Sequence, residues 1–304
     1  MTIDEFLRLP TEEVAQLVCK AGPRVCVFPI NGTRRWFMLE YPQSASSPEA
    51  YLQTAWQRQV ELYKLFFDHG VSTLLTPIFG PDLLQRGEAY SKLVMPGLLW
   101  CAQNQELLDF YEAYDVRVRV YGDTQRYLRD TSYAPALDAF EALARRTAAH
   151  SSYRLFFGVC AHDAAETVAE IGAQFHQEHG RLPDKREIVE AYYGEYVEPV
   201  DLFIGFDRPA AFDMPLLATG SEDLYFTVDP SPYLDTRALR TILYDHMYTR
   251  RVDESGYAEL SADGWDWMRS FYQANLGRTL GVGMKRDGVW YPLPQVDIPA
   301  DPGE

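Results

Sequence analysis

The sequence predicts an α/β fold, a central and mostly parallel six-stranded sheet flanked by helices. Three observations predict it. Short apolar runs alternate with helix-length amphipathic segments along the whole chain, the pattern of a sheet covered on both faces. The run at residues 71–79, VSTLLTPIF, is almost wholly apolar or Thr, as a strand buried on both sides requires. No repeat, low-complexity block or linker interrupts the 304 residues, and 47% of them are hydrophobic, enough for a substantial core. Residues 1–292 therefore read as a single α/β domain. Residues 293–304, Pro-rich and acidic, read as a flexible tail or one draped on the surface.

In chain order, residues 2–19 read as one or two short helices, with Thr2 and Glu5 spaced for a capping box and Pro10 as a break. Residues 25–30 form the first strand. It stops at Asn31-Gly32, residues that tolerate positive φ and let the chain turn abruptly. Residues 46–69 make a long amphipathic helix, opened by Ser46, Ser47 and Pro48 and stopped by Gly70. The second strand, 71–79, precedes helix-like residues 82–89 and a helix at 105–114. The third strand, 116–121, ends at Gly122-Asp123. A helix at 134–149, a strand at 154–160 and helices at 163–179 and 184–192 follow. Strands at 201–206 and 223–228 and helices at 236–248 and 261–275 complete the count.

The net charge of −16 and a pI near 4.8 argue against a nucleic-acid partner. Only five residues are Lys, so any cation that grips phosphate is an arginine. With 20 Tyr, 16 Phe and 6 Trp the chain can line an apolar pocket beside a carbocation, and an ordinary core accounts for them equally well. Cys19, Cys26, Cys101 and Cys160 show no C-x-x-C spacing, so neither a zinc site nor a disulfide framework is expected. The first ten residues lack a basic and then apolar leader, and no apolar run approaches ~20 residues. A cytoplasmic protein with no membrane span is the expectation. Neither G-x-x-x-x-G-K-[ST] nor G-x-S-x-G occurs, so P-loop and serine-triad chemistry are not indicated.

The stretch most suggestive of chemistry is the turn after the first strand. Asn31-Gly32 delivers Thr33, Arg34 and Arg35 together, and backbone N–H groups past such a turn form an anion nest. Two guanidiniums beside a nest suit a diphosphate, because the planar fork of Arg matches phosphate oxygens. A surface turn with two solvated arginines fits the spacing as well. In a parallel sheet this loop should share one rim with Gly80, Gly122-Asp123 and residues 205–208, the loops after strands two, three and five.

Residues 28–37, FPINGTRRWF, resemble the D-G-N-R-R-W segment of the cis-prenyltransferases. They resemble still more closely the F-P-F-D-G-T-R-R-W-F of the branch that forms tuberculosinyl products and kolavelool. The resemblance runs from about residue 6 to about residue 290. It implies the fold of undecaprenyl diphosphate synthase, with an apolar cleft and a homodimer. It also implies that Gly32, Thr33, Arg34, Arg35 and Arg86 bind a diphosphate, and that Asn31, Tyr51 and Tyr90 are catalytic. Tyr51 and Tyr90 equally fit amphipathic tyrosines with wet tips.

Several departures accompany the resemblance. Phe79 and Arg86 match the family's F-S-x-E-N-W-x-R, but Leu83 replaces the asparagine linked there to chain elongation. Gly205 and Ala211 stand where the family has the arginines that hold a second diphosphate, with Arg208 as a nearby substitute. One diphosphate site, not two, is expected. Asn31 stands where the family has an Asp that meets Mg2+. A weaker metal site, help from another carboxylate, and an Asp→Asn replacement all remain open. Asp223 aligns with the Glu of the family's E-L-Y-F, a metal ligand there, and also fits a surface turn.

The resemblance thus implies an Mg2+-dependent enzyme acting on a bicyclic C20 allylic diphosphate supplied by a separate cyclase. Quenching of the cation by water to a diterpene alcohol is the first expectation. Transfer to adenosine is the second, and a non-catalytic prenyltransferase partner subunit the third.

Overall fold

Side chains alternate across a strand, and here both alternating sets are apolar, so helices must cover both faces of the sheet. The structure, a computed structural model, describes residues 1–44, 46–80, 88–251 and 260–299, with residues 88–94 by backbone alone. Two helices open it, α1 (Ile3–Arg8), with the Thr2–Glu5 capping box formed, and α2 (Thr11–Ala21). β1 (Val25–Val27) leads into α3 (Thr33–Glu40) and the long α4 (Pro48–Asp68), whose N-terminus is capped by Ser47. Then come β2 (Thr73–Phe79), α5 (Glu88–Gln103), α6 (Gln105–Ala113), β3 (Val116–Tyr121) and α7 (Thr124–Leu128). α8 (Ala134–Arg146), β4 (Tyr153–Val159), α9 (Ala165–His179), α10 (Lys185–Tyr193) and β5 (Leu202–Phe206) follow. β6 (Asp223–Thr227), α11 (Thr236–Tyr244), α12 (Ala262–Ala274) and a hairpin of β7 (Gly283–Arg286) and β8 (Val289–Pro292) end the chain.

The main sheet has six strands in the order β3-β4-β2-β1-β5-β6, every neighbouring pair parallel. The expected sheet is therefore present and is wholly parallel. Cys26, Phe28, Leu74, Leu202 and Ile204 face a core built with α4, α5, α8 and α11. Val25, Val27, Leu75 and Phe203 face the opposite side, against Val189 and Tyr193 of α10. Among the described residues no helix is long and apolar enough to cross a membrane.

The described elements differ from the sequence expectations at a few places. β1 pairs over only three residues, because Pro29 has no N–H for the ladder and the last bond runs from the Phe28 N–H to Leu75 O at 2.8 Å. The chain therefore leaves the sheet early and reaches the rim before Asn31. Residues 33–40, beyond the turn, are helical. α5 runs through Pro96-Gly97 without stopping; buried Leu98 and Cys101 tie it to the core, and packing offsets a local cost of about 3 kcal/mol. The helix expected at 82–89 lies almost wholly outside the described residues. The β7–β8 hairpin carries no strong strand signal in sequence.

A buried cation ties the two ends of the domain together. Arg240 of α11, 6% exposed, donates from Nη1 to Leu7 O and Leu9 O at 3.0 and 2.7 Å and from Nη2 to Thr11 Oγ1 at 3.0 Å. Its Nε–H donates to His69 Nε2 at 3.1 Å, and the other ring nitrogen of His69 meets Leu65 O at 2.7 Å. His69 must be neutral to accept from a guanidinium. Burial first, and the Arg240 charge as well, hold its pKa below the usual histidine value.

Candidate functional site

Every loop at the carboxyl rim of a parallel sheet is available to a ligand, but the crevice opens where neighbouring strands send their connections to opposite sides. Here that point lies between β1, which leads to β2 on one side, and β5 on the other. The turn singled out in the sequence sits in this crevice. Gly32 is left-handed, at φ 76°, and a Cβ there would stand 2.8 Å from the Phe206 ring and 2.9 Å from Pro230. Only glycine meets both conditions. It is also the N-cap of α3, and it offers no side chain to the first helical N–H groups of Thr33, Arg34 and Arg35. The expected nest is thus a helix N-terminus, where the backbone favours an anion.

The turn is fastened from a distance. Ser231, buried between Pro230 and Pro232, accepts from the Asn31 N–H at 3.1 Å and donates its hydroxyl to Pro29 O at 3.3 Å. Its own N–H donates to Asn31 O at 3.1 Å. At the far end of α3, the Tyr233 hydroxyl donates to Glu40, which pushes its pKa up to about 12. Arg58 of α4 holds the same segment through Pro232 O at 2.7 Å and Leu234 O at 3.1 Å. The Asn31 turn is therefore clamped at its backbone, leaving the side chains of residues 31–35 to the rim.

Arg35 lies 3.6 Å from Asp207, which follows β5, and its guanidinium sits 5.2 Å from the centre of the Phe206 ring. Among the described residues Arg34 is exposed and has no carboxylate partner. Thr33 Oγ1 and the Tyr51 hydroxyl are 2.9 Å apart, so Tyr51 of α4 reaches the start of α3. The Tyr51 ring meets Phe37 edge-on with centres 5.4 Å apart, and Phe37 stacks on Tyr41 at 5.3 Å. An aromatic cluster thus spans α3 and α4, and the Thr33–Tyr51 pair ties it to the start of α3.

The expected residues divide into three groups. Asn31, Gly32, Thr33, Arg34, Arg35 and Tyr51 come together. Arg86 and the Tyr90 side chain lie outside the described residues. Asp223 does not join Asn31 within this chain: it opens β6 at the amino rim, paired in register with Leu202, while Asn31 follows β1 at the carboxyl rim. Its carboxylate is engaged there, with His246 Nδ1 at 2.7 Å and Arg250 at 3.4 Å. The Gly122-Asp123 loop shares the correct rim, but three strand spacings, about 14 Å, separate β3 from β1. Asp123 instead pairs with Arg126 at 3.2 Å. Arg208 is exposed.

Magnesium meets a sparse donor set. Among the described residues no three His, Cys, Asp or Glu side chains lie together where they could hold a metal ion. An all-protein cage does not fit. Asn31 would offer such an ion a single neutral amide oxygen.

Two residues that sequence reasoning missed are Ser231 and Asp207. Ser231 stands 200 positions from Asn31, and its only local signal is the run Asp229-Pro230-Ser231-Pro232. Asp207 adopts φ 71°, a left-handed conformation uncommon outside Gly, Asn and Asp. Its signal was the turn at Phe206-Asp207-Arg208.

No family model matches the chain. The chain is 43% identical to a tuberculosinyl adenosine transferase of Mycobacterium tuberculosis, over 94% of this chain and 97% of that protein. It is 28% identical to a (+)-kolavelool synthase of Herpetosiphon aurantiacus, over 96% of this chain and 95% of that one. Among solved structures it resembles a probable undecaprenyl diphosphate synthase of Campylobacter jejuni, with TM-score 0.55 and 13% identity over 75% of this chain and 97% of the other. It also resembles lavandulyl diphosphate synthase of Lavandula x intermedia in complex with dimethylallyl diphosphate, with TM-score 0.54 and 17% identity over 80% and 99%. The sheet order, the helix-capped arginine turn and near-full-length identity agree: the chain belongs to the enzyme family of tuberculosinyl adenosine transferase, built on the cis-prenyltransferase fold.

Proposed function

We propose that this enzyme ionises a bicyclic C20 allylic diphosphate and transfers the diterpenyl group to a nucleoside such as adenosine. The observation that carries this reading is the 43% identity, nearly end to end, to a protein named for that transfer. It reverses the order that the sequence alone suggests, in which water capture comes first. Arg34, Arg35 and the N–H groups at the start of α3 take up the charge that develops on the leaving diphosphate. The C–O bond breaks with its electron pair on diphosphate. Phe37, Tyr41 and Tyr51 turn aromatic surface toward the allylic cation. Asn31 would offer a magnesium ion one neutral donor, and the ion would supply charge to offset the leaving diphosphate. The ring system is made beforehand by a separate cyclase that leaves the allylic diphosphate intact, and the enzyme works as a homodimer.

Water capture is the second reading, supported by the 28% identity to (+)-kolavelool synthase and by the Thr33–Tyr51 hydroxyl pair, which can orient a water molecule. Mass spectrometry of products from a tuberculosinyl-type or kolavenyl-type diphosphate, with and without adenosine, separates the two. An adduct that appears only with adenosine supports transfer. A free alcohol in equal yield under both conditions replaces it with hydrolysis, and no product from either substrate sinks both readings for these substrates.

Two substitutions extend the test. Asn31→Asp restores a charge where the amide now stands, and should lower the magnesium concentration for half-maximal rate about tenfold, equivalent to about 1.4 kcal/mol. A magnesium curve that does not move would remove residue 31 from the metal's surroundings. Tyr51→Phe keeps the ring against Phe37 and deletes only the hydroxyl. We expect its kcat to fall about 10²-fold with KM little changed, as measured by diphosphate release. A rate close to that of the parent would reduce Tyr51 to a packing role.

A further inference from the structure

A cavity of about 480 Å³ opens beside the arginine turn, beneath the β7–β8 hairpin and against the edge strand β6. Its volume falls in the roughly 300–1,000 Å³ range of small-molecule sites. Leu224 and Phe226, two positions apart on β6, share one face of the strand, and both line it. Trp290 of β8 closes the other side, lying so close over Gly283 that a Cβ there would meet the indole at 2.1 Å. Asp207 belongs to both places: it lines this cavity and pairs with Arg35. Asp207 thus links this cavity to Arg35 of the proposed diphosphate site.

Charge narrows the occupant. The described lining residues include one carboxylate, Asp207, and no Lys, Arg or His. A phosphorylated molecule would enter with nothing to neutralise it and a like charge at the entrance. Gly205 belongs to the same arrangement. A Cβ there would stand 2.8 Å from the Phe226 ring, so the ring fills the space from which an arginine would have to grow. An aromatic wall replaces an anion grip.

We propose that this cavity is the acceptor site and that it takes an uncharged purine nucleoside, held between aromatic rings, while rejecting nucleotides and isopentenyl-type diphosphates. This rests on the transferase reading above. Flat bases stack on Trp and Phe faces without needing charge, and a ribose hydroxyl can donate to Asp207. Once the C–O bond has broken toward diphosphate, an unprotonated ring nitrogen gives its lone pair to the allylic cation and the C–N bond forms. No proton has to leave, and the adduct carries a positive charge that Asp207 offsets.

The test is calorimetric titration of adenosine and of AMP into the full-length protein, with and without saturating magnesium and inorganic diphosphate. The titration is repeated on Trp290→Ala, which removes a ring, and on Leu224→Trp, which fills the cavity. Thermal unfolding of each variant separates lost binding from lost fold, and Leu224→Trp decides if Trp290→Ala does not fold. The expected result is adenosine binding that weakens about tenfold or more in the folded variants, with AMP at least about tenfold weaker than adenosine on the parent. Adenosine binding unchanged by the substitutions overturns the assignment, and AMP binding as tightly as adenosine overturns the charge selection. Diphosphate release by the parent from the diterpenyl substrate is measured in parallel. Release without any adenosine binding defeats this inference alone. Cavity-dependent adenosine binding without release defeats the proposed reaction and leaves the binding site standing.

Discussion

Arg35→Ala is expected to lower kcat/KM for diphosphate release by about 10²–10³-fold, the usual cost of removing one preorganised donor from a developing anion. The size follows from how firmly the guanidinium is placed. Asp207 holds one edge at 3.6 Å and the Phe206 ring supports its face, so the fork is aimed before substrate arrives. Arg35→Lys keeps the charge but loses the planar fork and the stacking, and should recover only part of the rate. Arg208→Ala, two residues beyond Phe206 and exposed, should stay within about threefold of the parent, because exposed substitutions away from special features are near neutral. Steady-state kinetics on the three variants settles the matter. An Arg35→Ala enzyme as fast as its parent would place the diphosphate elsewhere on the rim.

The largest effect on stability should come from Arg240→Met, about 3–5 kcal/mol in urea unfolding at pH 7.5. Methionine fills much of the volume but leaves Leu7 O, Leu9 O, Thr11 Oγ1 and His69 Nε2 without their donor. The same latch makes the parent acid-sensitive. His69 has a folded pKa below its unfolded value of 6.5, so above pH 6.5 it is neutral in both states and the latch contributes fully. As the pH falls below that value the unfolded chain takes up a proton that the folded site resists, and stability declines. The decline ends once the pH passes the lowered folded pKa. His69→Gln should flatten the slope just below pH 6.5. An unchanged urea midpoint for Arg240→Met, or no difference in slope for His69→Gln, would show that the latch carries little of the fold's stability.

What could be read beforehand was local. Each strand of the main sheet announced itself through its own apolar run, and Asn31-Gly32 through its own turn chemistry, so that sheet and the arginine turn were legible. The features that fasten the turn were not, because Ser231 and Asp207 reach it from 200 and 172 positions away, and no periodicity links such residues. The full length of α5 was not legible either, because packing of Leu98 and Cys101 on the core carries it through Pro96. Asp223 is a different kind of lesson. Strand polarity alone separates it from Asn31, since a residue that opens a parallel strand lies at the rim opposite to one that follows a neighbouring strand. That contradiction was already present in the sequence reading.

The position of β1 shapes the life of the chain before it is complete. Three residues, Val25–Val27, lie between β2 and β5, and the second of these neighbours is synthesised only after about 170 further residues. Until then a nascent chain exposes one edge of a central strand, and an uncovered edge is a template for pairing with another chain. Asp201 closes that gap with its carboxylate on the N–H groups of Arg24 and Val25 at 2.8 and 2.9 Å, as soon as β5 emerges. Ser231 follows some thirty residues later and sets the turn. Catalytic competence is thus among the last properties this polypeptide acquires as it leaves the ribosome, and a product truncated before residue 201 would have an aggregation-prone edge and no assembled site.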